Sequence, residues 1–246
     1  MAVVTCTLLG EVAEAFPETA IGFVVGDGLR NSDGWDDADA RLRELEEQVG
    51  SGRWQPFDET HPRISSWYDT YRRFGTNPRR LRPSVDALGR RLARSGRLPR
   101  INGAVDAYNS VSVRYGIPAG AFDLHRIGGL VEIRFARPGD RFTPLGEPDG
   151  TERPGTGEVV YAQGNQVLTR HWNHRDCDQA KVTTESTSVV FVIERVSAAA
   201  VPDSVLAEAQ QELAELVRPH ATTIVLSNIG PGALTTSLEI ATSELT

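Results

Sequence analysis

The stretch GEVVYAQGNQVLTRHW, Gly157–Trp172, decides the fold class. Within it, GEVVYAQ (Gly157–Gln163) and QVLTRHW (Gln166–Trp172) alternate with the period of two that a strand requires. The same pattern recurs in LVEIRFA (Leu130–Ala136), SVVFVIERV (Ser188–Val196) and TTIVLSN (Thr222–Asn228). Upstream the period changes. After one early strand, IGFVVGDGL (Ile21–Leu29), apolar residues recur at helical spacing. Leu42, Leu45 and Val49 form one stripe behind Asp33, Asp36 and Asp37, any of which offers a cap. Ile64, Trp67, Tyr68 and Tyr71 form a second, a core face closed by Gly75. Val85, Leu88 and Leu92 form a third, with Ser84 as its expected cap. INGAVDAYNSVSVRYG ends a further helix at Gly116, and Asp203 is expected to cap VPDSVLAEAQQELAELVRPH. The pattern predicts one α+β (mixed α/β) domain over residues 1–229, its helical N-terminal half packed on a mixed sheet. Residues 230–246 read as a polar tail with no packing role.

Composition narrows the function. No run approaches the roughly 20 apolar residues of a membrane span. MAVVTCTLLGEVAEAF lacks a basic start and meets Glu11 and Glu14 early, so it does not read as a secretory signal. Two cysteines, Cys6 and Cys177, are too few for a disulfide scaffold and suit a reducing, cytoplasmic setting. No Gly-x-Ser-x-Gly elbow is present, and GDG (Gly26–Gly28) is too short for a phosphate loop, so no cofactor is expected. His171, His174 and Cys177, with Asp176 or Asp178, imitate a metal set, but the spacing fits no standard zinc pattern and no metal is expected.

Charge is distributed unevenly. Arg72–Arg100 holds ten arginines and one acid, Asp86, a net charge of +9 inside a chain of −7. The guanidinium fork matches phosphate oxygens in pairs and never loses its proton. Arg72, Arg73, Arg79, Arg80, Arg82, Arg90, Arg91 and Arg94 are therefore expected to contact RNA phosphates rather than form only a solvated face.

Three pieces carry a resemblance: VDAYN (Val105–Asn109), GAFDLHRI (Gly120–Ile127) and RHWNHRD (Arg170–Asp176). With the sequence around them, from about Ile21 to Val225, the chain resembles the B3/B4 domain of the beta subunit of bacterial phenylalanyl-tRNA synthetase, which also occurs as free-standing proteins. That resemblance implies a single α/β domain with a pocket at its sheet edge. It also implies an activity, hydrolysis of the ester of a mis-acylated tRNA, with the aminoacylated 3′ end of tRNA as partner. Asn109 falls where the family has a pocket asparagine, and Tyr108 replaces that motif's threonine. Glu194 falls where the synthetase has the glutamate that reads a tyrosine hydroxyl, and Gly120 where it has a pocket histidine. Asp123 and Arg126 match FDLDRI, with His125 for the second aspartate. A glycine pair that supplies backbone amides in the synthetase aligns with Arg170–Trp172, which has no glycine.

Roles follow for individual side chains. Asn109 orients the water or carbonyl, and His171 carries a proton. Glu194, Tyr108, Gly120, Asn173 and Arg175 bind the aminoacyl group or the terminal adenosine. Thr183, Thr184, Ser186 and Thr187 line the pocket or lie at a strand edge. Two other readings stay open, a non-catalytic tRNA-binding protein and a pocket for a free amino acid-like metabolite. The amino acid, the tRNA and the oligomeric state are not legible.

Overall fold

The computed structural model describes residues 2–240. It is α+β, with two sheets where one was expected. The first has the order β10-β1-β4-β5-β6-β7. Its strands are β1 (Ala2–Leu8), β4 (Gly129–Phe135), β5 (Val159–Gln163), β6 (Gln166–Arg170), β7 (Arg175–Asp176) and β10 (Thr235–Ile240). All its pairings are antiparallel except β1 with β4. The second sheet is antiparallel, in the order β3-β8-β2-β9, from β3 (Ala119–Asp123), β8 (Ser188–Arg195), β2 (Ala20–Asp27) and β9 (Thr223–Ile229).

Strand parity sorts the side chains into layers. On β8, Val190 and Val192 join a core with residues of the first sheet, while Val189, Phe191 and Ile193 face helices. The helices behind the second sheet are α5 (Gly103–Tyr115) and α6 (Asp203–Val217), which supply Ala104, Ala107, Val111, Leu206, Leu213 and Val217. Glu194 shares the parity of Val190 and Val192, so its carboxylate enters the layer between the sheets.

α1 (Gly10–Ala15) follows β1, and α2 (Asp36–Gly50), α3 (Pro62–Arg73) and α4 (Ser84–Ser95) lie between β2 and α5. Trp67 and Tyr71 of α3 are fully buried in the intersheet core, as their spacing indicated. Leu92 of α4 packs with Leu42, Leu45, Leu98 and Val113.

The helix starts differ from expectation. Proline precedes both α4 and α6, and neither Ser84 nor Asp203 makes a capping hydrogen bond. Ser84 already lies inside its helix, and its amide bonds the Asn173 carbonyl at 3.0 Å. Asp203 instead pairs with Arg195. α2 begins with no side-chain cap from Asp33, Asp36 or Asp37. Asn102 caps α5, accepting from the Val105 amide at 3.0 Å.

The polar tail is corrected in part. Thr235–Ile240 is a strand paired antiparallel with β1, and Leu238 is fully buried opposite Val4. Its period-two pattern is short and has only two large apolar residues, Leu238 and Ile240, so it reads as polar until β1 supplies a partner edge. Residues 241–246 lie outside the described residues.

Candidate functional site

A small cavity of about 50 Å³ opens where the two sheets meet. β3 and β8 contribute Ala119, Gly120, Phe122, Val192 and Glu194, and the first sheet contributes Tyr161, Thr169 and Asp176. Trp172, Asn173, His174 and Arg175 close one side, and Ser84 comes from the start of α4.

Glu194 is the centre of a hydrogen-bond cluster. Its Oε1 accepts from the Tyr161 hydroxyl and from Trp172 Nε1 at 2.9 Å, and its Oε2 accepts from Asn173 Nδ2 at 3.1 Å. Tyr71 in turn donates to Asn173 Oδ1 at 2.8 Å. Burial pushes the Glu194 carboxyl up to about 7, against the three donors that lower it. Asp176 sits across from it. Its Oδ1 accepts from the Thr169 hydroxyl at 2.7 Å, and burial pushes it up to about 6. Its Oδ2 faces Gly120, where an added Cβ would lie 3.7 Å away. Sequence reading missed Asp176 as a site residue. Its neighbour Arg175 drew attention instead, and the parity of a two-residue strand is not readable in advance.

His174 was also missed. Its Nδ1 lies 2.7 Å from the Arg82 carbonyl, which can only accept. The proton is therefore on Nδ1 and the Nε2 lone pair is free. Burial lowers the His174 pKa, so the ring is neutral at pH 7.

The turn His171–Trp172 has an unusual backbone. Both residues are left-handed, with φ of 48° and 68°. That conformation costs a side-chain-bearing residue roughly 1–2 kcal/mol. The turn that glycines would favour is thus kept without them. Its amides are used internally. Trp172 N donates to Val159 O, Asn173 N to His171 O and His174 N to Arg170 O. They are not free to hold an oxyanion. Packing holds the strain in place, because the fully buried Trp172 ring meets Trp67, Phe16 and Phe74.

Of the residues expected at the site, the cavity gathers Glu194, Gly120, Asn173 and Arg175. The Arg175 guanidinium turns outward to Glu147 at 2.9 Å and to the Leu145 carbonyl. Asn109 and His171 do not line the cavity. Asn109 is buried on α5, behind the second sheet. His171 is left-handed and turns away, its Nδ1 2.8 Å from Glu158 and 2.9 Å from the Thr76 hydroxyl. Burial opposes ionisation of Glu158, but hydrogen bonds from His171 and Arg170 hold it below its usual range. Tyr108 also lies outside the lining and packs among the apolar residues of the second sheet and its helices. Burial, with Asp176 and Asp106 nearby, raises its phenol.

Other motif residues are structural. Asp123 accepts from Ser186 Oγ at 2.6 Å and from the His125 amide at 2.9 Å. Asp106 accepts from the Ile101 amide rather than from Arg100. Thr183, Thr184, Ser186 and Thr187 lie outside the cavity lining. The suspected metal ligands diverge, with His171 on Glu158, His174 on Arg82 and Cys177 buried against the Ala180 amide. No cluster suited to a metal ion occurs among the described residues. No described helix is long and apolar enough to cross a membrane.

The arginine run divides into two populations. Arg82 and Arg90 both bond Asp86, a fully buried carboxylate that also accepts from Tyr68 at 2.8 Å. Arg79 and Arg90 reach Glu59, Arg72 pairs with Asp69, and Arg100 pairs with Asp39 and Glu46. Arg73 lies over the Phe16 ring and donates to the Ala15 carbonyl. Arg80, Arg91, Arg94 and Arg97 make no ion pair among the described residues. An open groove of about 1160 Å³ is lined by Arg82, Arg90, Arg91, Arg94 and Arg97. The segment Arg82–Ser84 links the two linings. Arg82 lines the groove and Ser84 the cavity, and both backbones are bonded to the cavity wall at His174 and Asn173.

Known proteins resemble this chain in sequence. The beta subunit of phenylalanine–tRNA ligase from Gloeobacter violaceus (strain ATCC 29082 / PCC 7421) is 43% identical over 73 residues, 29% of this chain and 9% of that subunit. The corresponding subunit from Anaeromyxobacter dehalogenans (strain 2CP-C) is 43% identical over 75 residues, 30% of this chain and 9% of its own length. The matched region is thus a small part of those subunits. A solved N-terminal fragment of the phenylalanyl-tRNA synthetase beta subunit from Pyrococcus horikoshii aligns with 85% of this chain and 48% of its own, at 14% identity and a TM-score of 0.41. The model of the B3/4 domain family matches residues 66–213, more than half of the sequence and the whole of the cavity lining. By that match the chain belongs to the B3/4 domain family.

Proposed function

We propose that the protein is a trans-acting aminoacyl-tRNA deacylase, which binds tRNA through the arginine groove and hydrolyses an aminoacyl ester at the cavity. The observation that carries this reading is the segment Arg82–Ser84, which links a groove carrying unpaired arginines to a cavity lined by the buried Glu194 and the half-buried Asp176. A phosphate backbone suits the first and the 3′ aminoacyl end suits the second. The chemistry asked of the protein is modest, because an aminoacyl ester is intrinsically labile. Holding the ester and orienting one water supplies the acceleration. His174, neutral and with a free Nε2, accepts the water's proton in this account. Glu194 and Asp176 read the aminoacyl group. Asn173 holds Glu194, and Tyr71 holds Asn173. His171 fixes the turn through Glu158.

The test is a deacylation screen of purified protein against a panel of aminoacyl-tRNAs, with His174→Ala and Glu194→Gln alongside. Loss of a particular aminoacyl ester, abolished by His174→Ala, is the expected result.

One observation favours a second reading, a non-catalytic tRNA-binding protein. The amides of Trp172, Asn173 and His174 all donate to backbone carbonyls, of Val159, His171 and Arg170, so these donors are not available to an oxyanion. That reading predicts salt-sensitive tRNA binding with every ester intact.

A further inference from the structure

The two carboxylates facing the cavity have no positive partner among the described residues. All three donors to Glu194 are neutral groups, from Tyr161, Trp172 and Asn173. The donor to Asp176 is the neutral Thr169 hydroxyl. The nearby cations are engaged elsewhere, Arg175 with Glu147, Arg170 with Glu158 and Glu152, and Lys181 with Asp178. A buried carboxylate without a counter-charge is costly, and two that face one cavity raise each other further.

The rest of the lining is rich in acceptors. His174 presents a bare Nε2, and the buried Ser84 Oγ makes no hydrogen bond. Asp176 Oδ2 stands open because residue 120 is a glycine. A group matching this lining donates several hydrogen bonds and carries positive charge. A primary ammonium has those properties, with three N–H donors and no lone pair.

We propose that the cavity is a receptor for the primary ammonium group of an amino acid or aminoacyl ester, held between Asp176 and Glu194. This rests on reading the cavity as the aminoacyl subsite. It assigns Asp176 as a binding residue and gives Gly120 a reason, which is to leave the Asp176 oxygen uncovered. It also sets the specificity. An ester bearing a free amine is accepted, and an N-blocked one is refused.

Calorimetric titration in an amine-free buffer near neutral pH tests the proposal. The probes are alaninamide, N-acetyl-alaninamide and magnesium chloride. Alaninamide is expected to bind saturably, and the acetylated compound and the metal salt are not. Asp176→Asn keeps the acceptor for Thr169 and is expected to weaken alaninamide binding by about tenfold or more. Gly120→Ala places its methyl in ordinary contact and requires no left-handed backbone, so the variant folds as the parent does while losing the amine. Equal binding of the acetylated probe, no binding of alaninamide, preferential binding of magnesium, or full affinity in Asp176→Asn would each overturn the proposal. The underlying enzyme reading fails separately. Amine binding without ester hydrolysis removes the deacylase and leaves this receptor. Equal hydrolysis of N-acetyl-aminoacyl-tRNA removes the receptor and leaves the deacylase.

Discussion

His174 Nδ1 donates to the backbone carbonyl of Arg82 at 2.7 Å, so the wall of the cavity and the loop that opens the arginine groove are fixed to each other. One hydrogen bond sets the tautomer of the ring and the position of the loop together. Substitution of His174 by Gln is therefore expected to act twice. It removes the Nε2 base, and it loosens the Arg82–Ser84 loop by about 1 kcal/mol. Ester hydrolysis should fall by about a hundredfold or more, the usual share of a general base, while tRNA affinity falls only severalfold. Single-turnover deacylation and filter binding on the same variant separate the two effects.

The buried carboxylates give stability an unusual pH slope. Glu194 titrates at about 7 in the folded protein against an ordinary value of 4.5. The folded state thus holds the Glu194 proton more tightly, and this contribution to stability is present at low pH and lost as pH rises between those values. Its size is roughly 3 kcal/mol. Glu194→Gln removes it, so the stability of the variant relative to the parent should rise by that order between about pH 5 and about pH 8. Urea melts at the two pH values measure the difference, and a constant difference would show that Glu194 is ionised throughout.

The arginines should separate by what they touch. Arg82→Ala leaves the fully buried Asp86 short of a partner and is expected to lower stability by about 1–3 kcal/mol. Joint replacement of Arg91, Arg94 and Arg97 by Gln should leave the melting temperature within about a degree or two. The same triple variant should flatten the salt dependence of tRNA binding by about one logarithmic unit for each phosphate it no longer neutralises. An unchanged slope would mean that the groove does not hold RNA.

Leu238 tests the end of the fold. It is fully buried against β1, and Leu238→Ala is expected to cost about 2–4 kcal/mol in chemical denaturation. A loss below about 0.5 kcal/mol would return residues 235–240 to the status of a tail.

Much of the fold was legible because two periods dominate the sequence. Ile64, Trp67, Tyr68 and Tyr71 bury one helical face, and Val189 to Glu194 alternate between two cores. The split into two sheets was not legible, since strand order depends on pairing and not on pattern. β1 was missed although Val4, Cys6 and Leu8 all turn inward. At the site, Glu194 was readable as a carboxylate at the end of an apolar strand. Asp176 and His174 were not, because a turn of two left-handed residues without glycine decides which way the RHWNHRD side chains point. That turn sends His171 to Glu158, while His174 lines the cavity. The arginine run was visible as charge, but its pairing with Glu59 and with the buried Asp86 was visible only in space.

In the proposed function, a groove for tRNA and a cavity for an aminoacyl group work together in one ester hydrolysis. Deacylation of a panel of aminoacyl-tRNAs, with the parent beside His174→Ala, tests that cooperation most directly. The expected result is rapid loss of one or a few aminoacyl esters, slowed by about a hundredfold or more in the variant. Intact esters across the whole panel, with tRNA still bound at low salt, would contradict it.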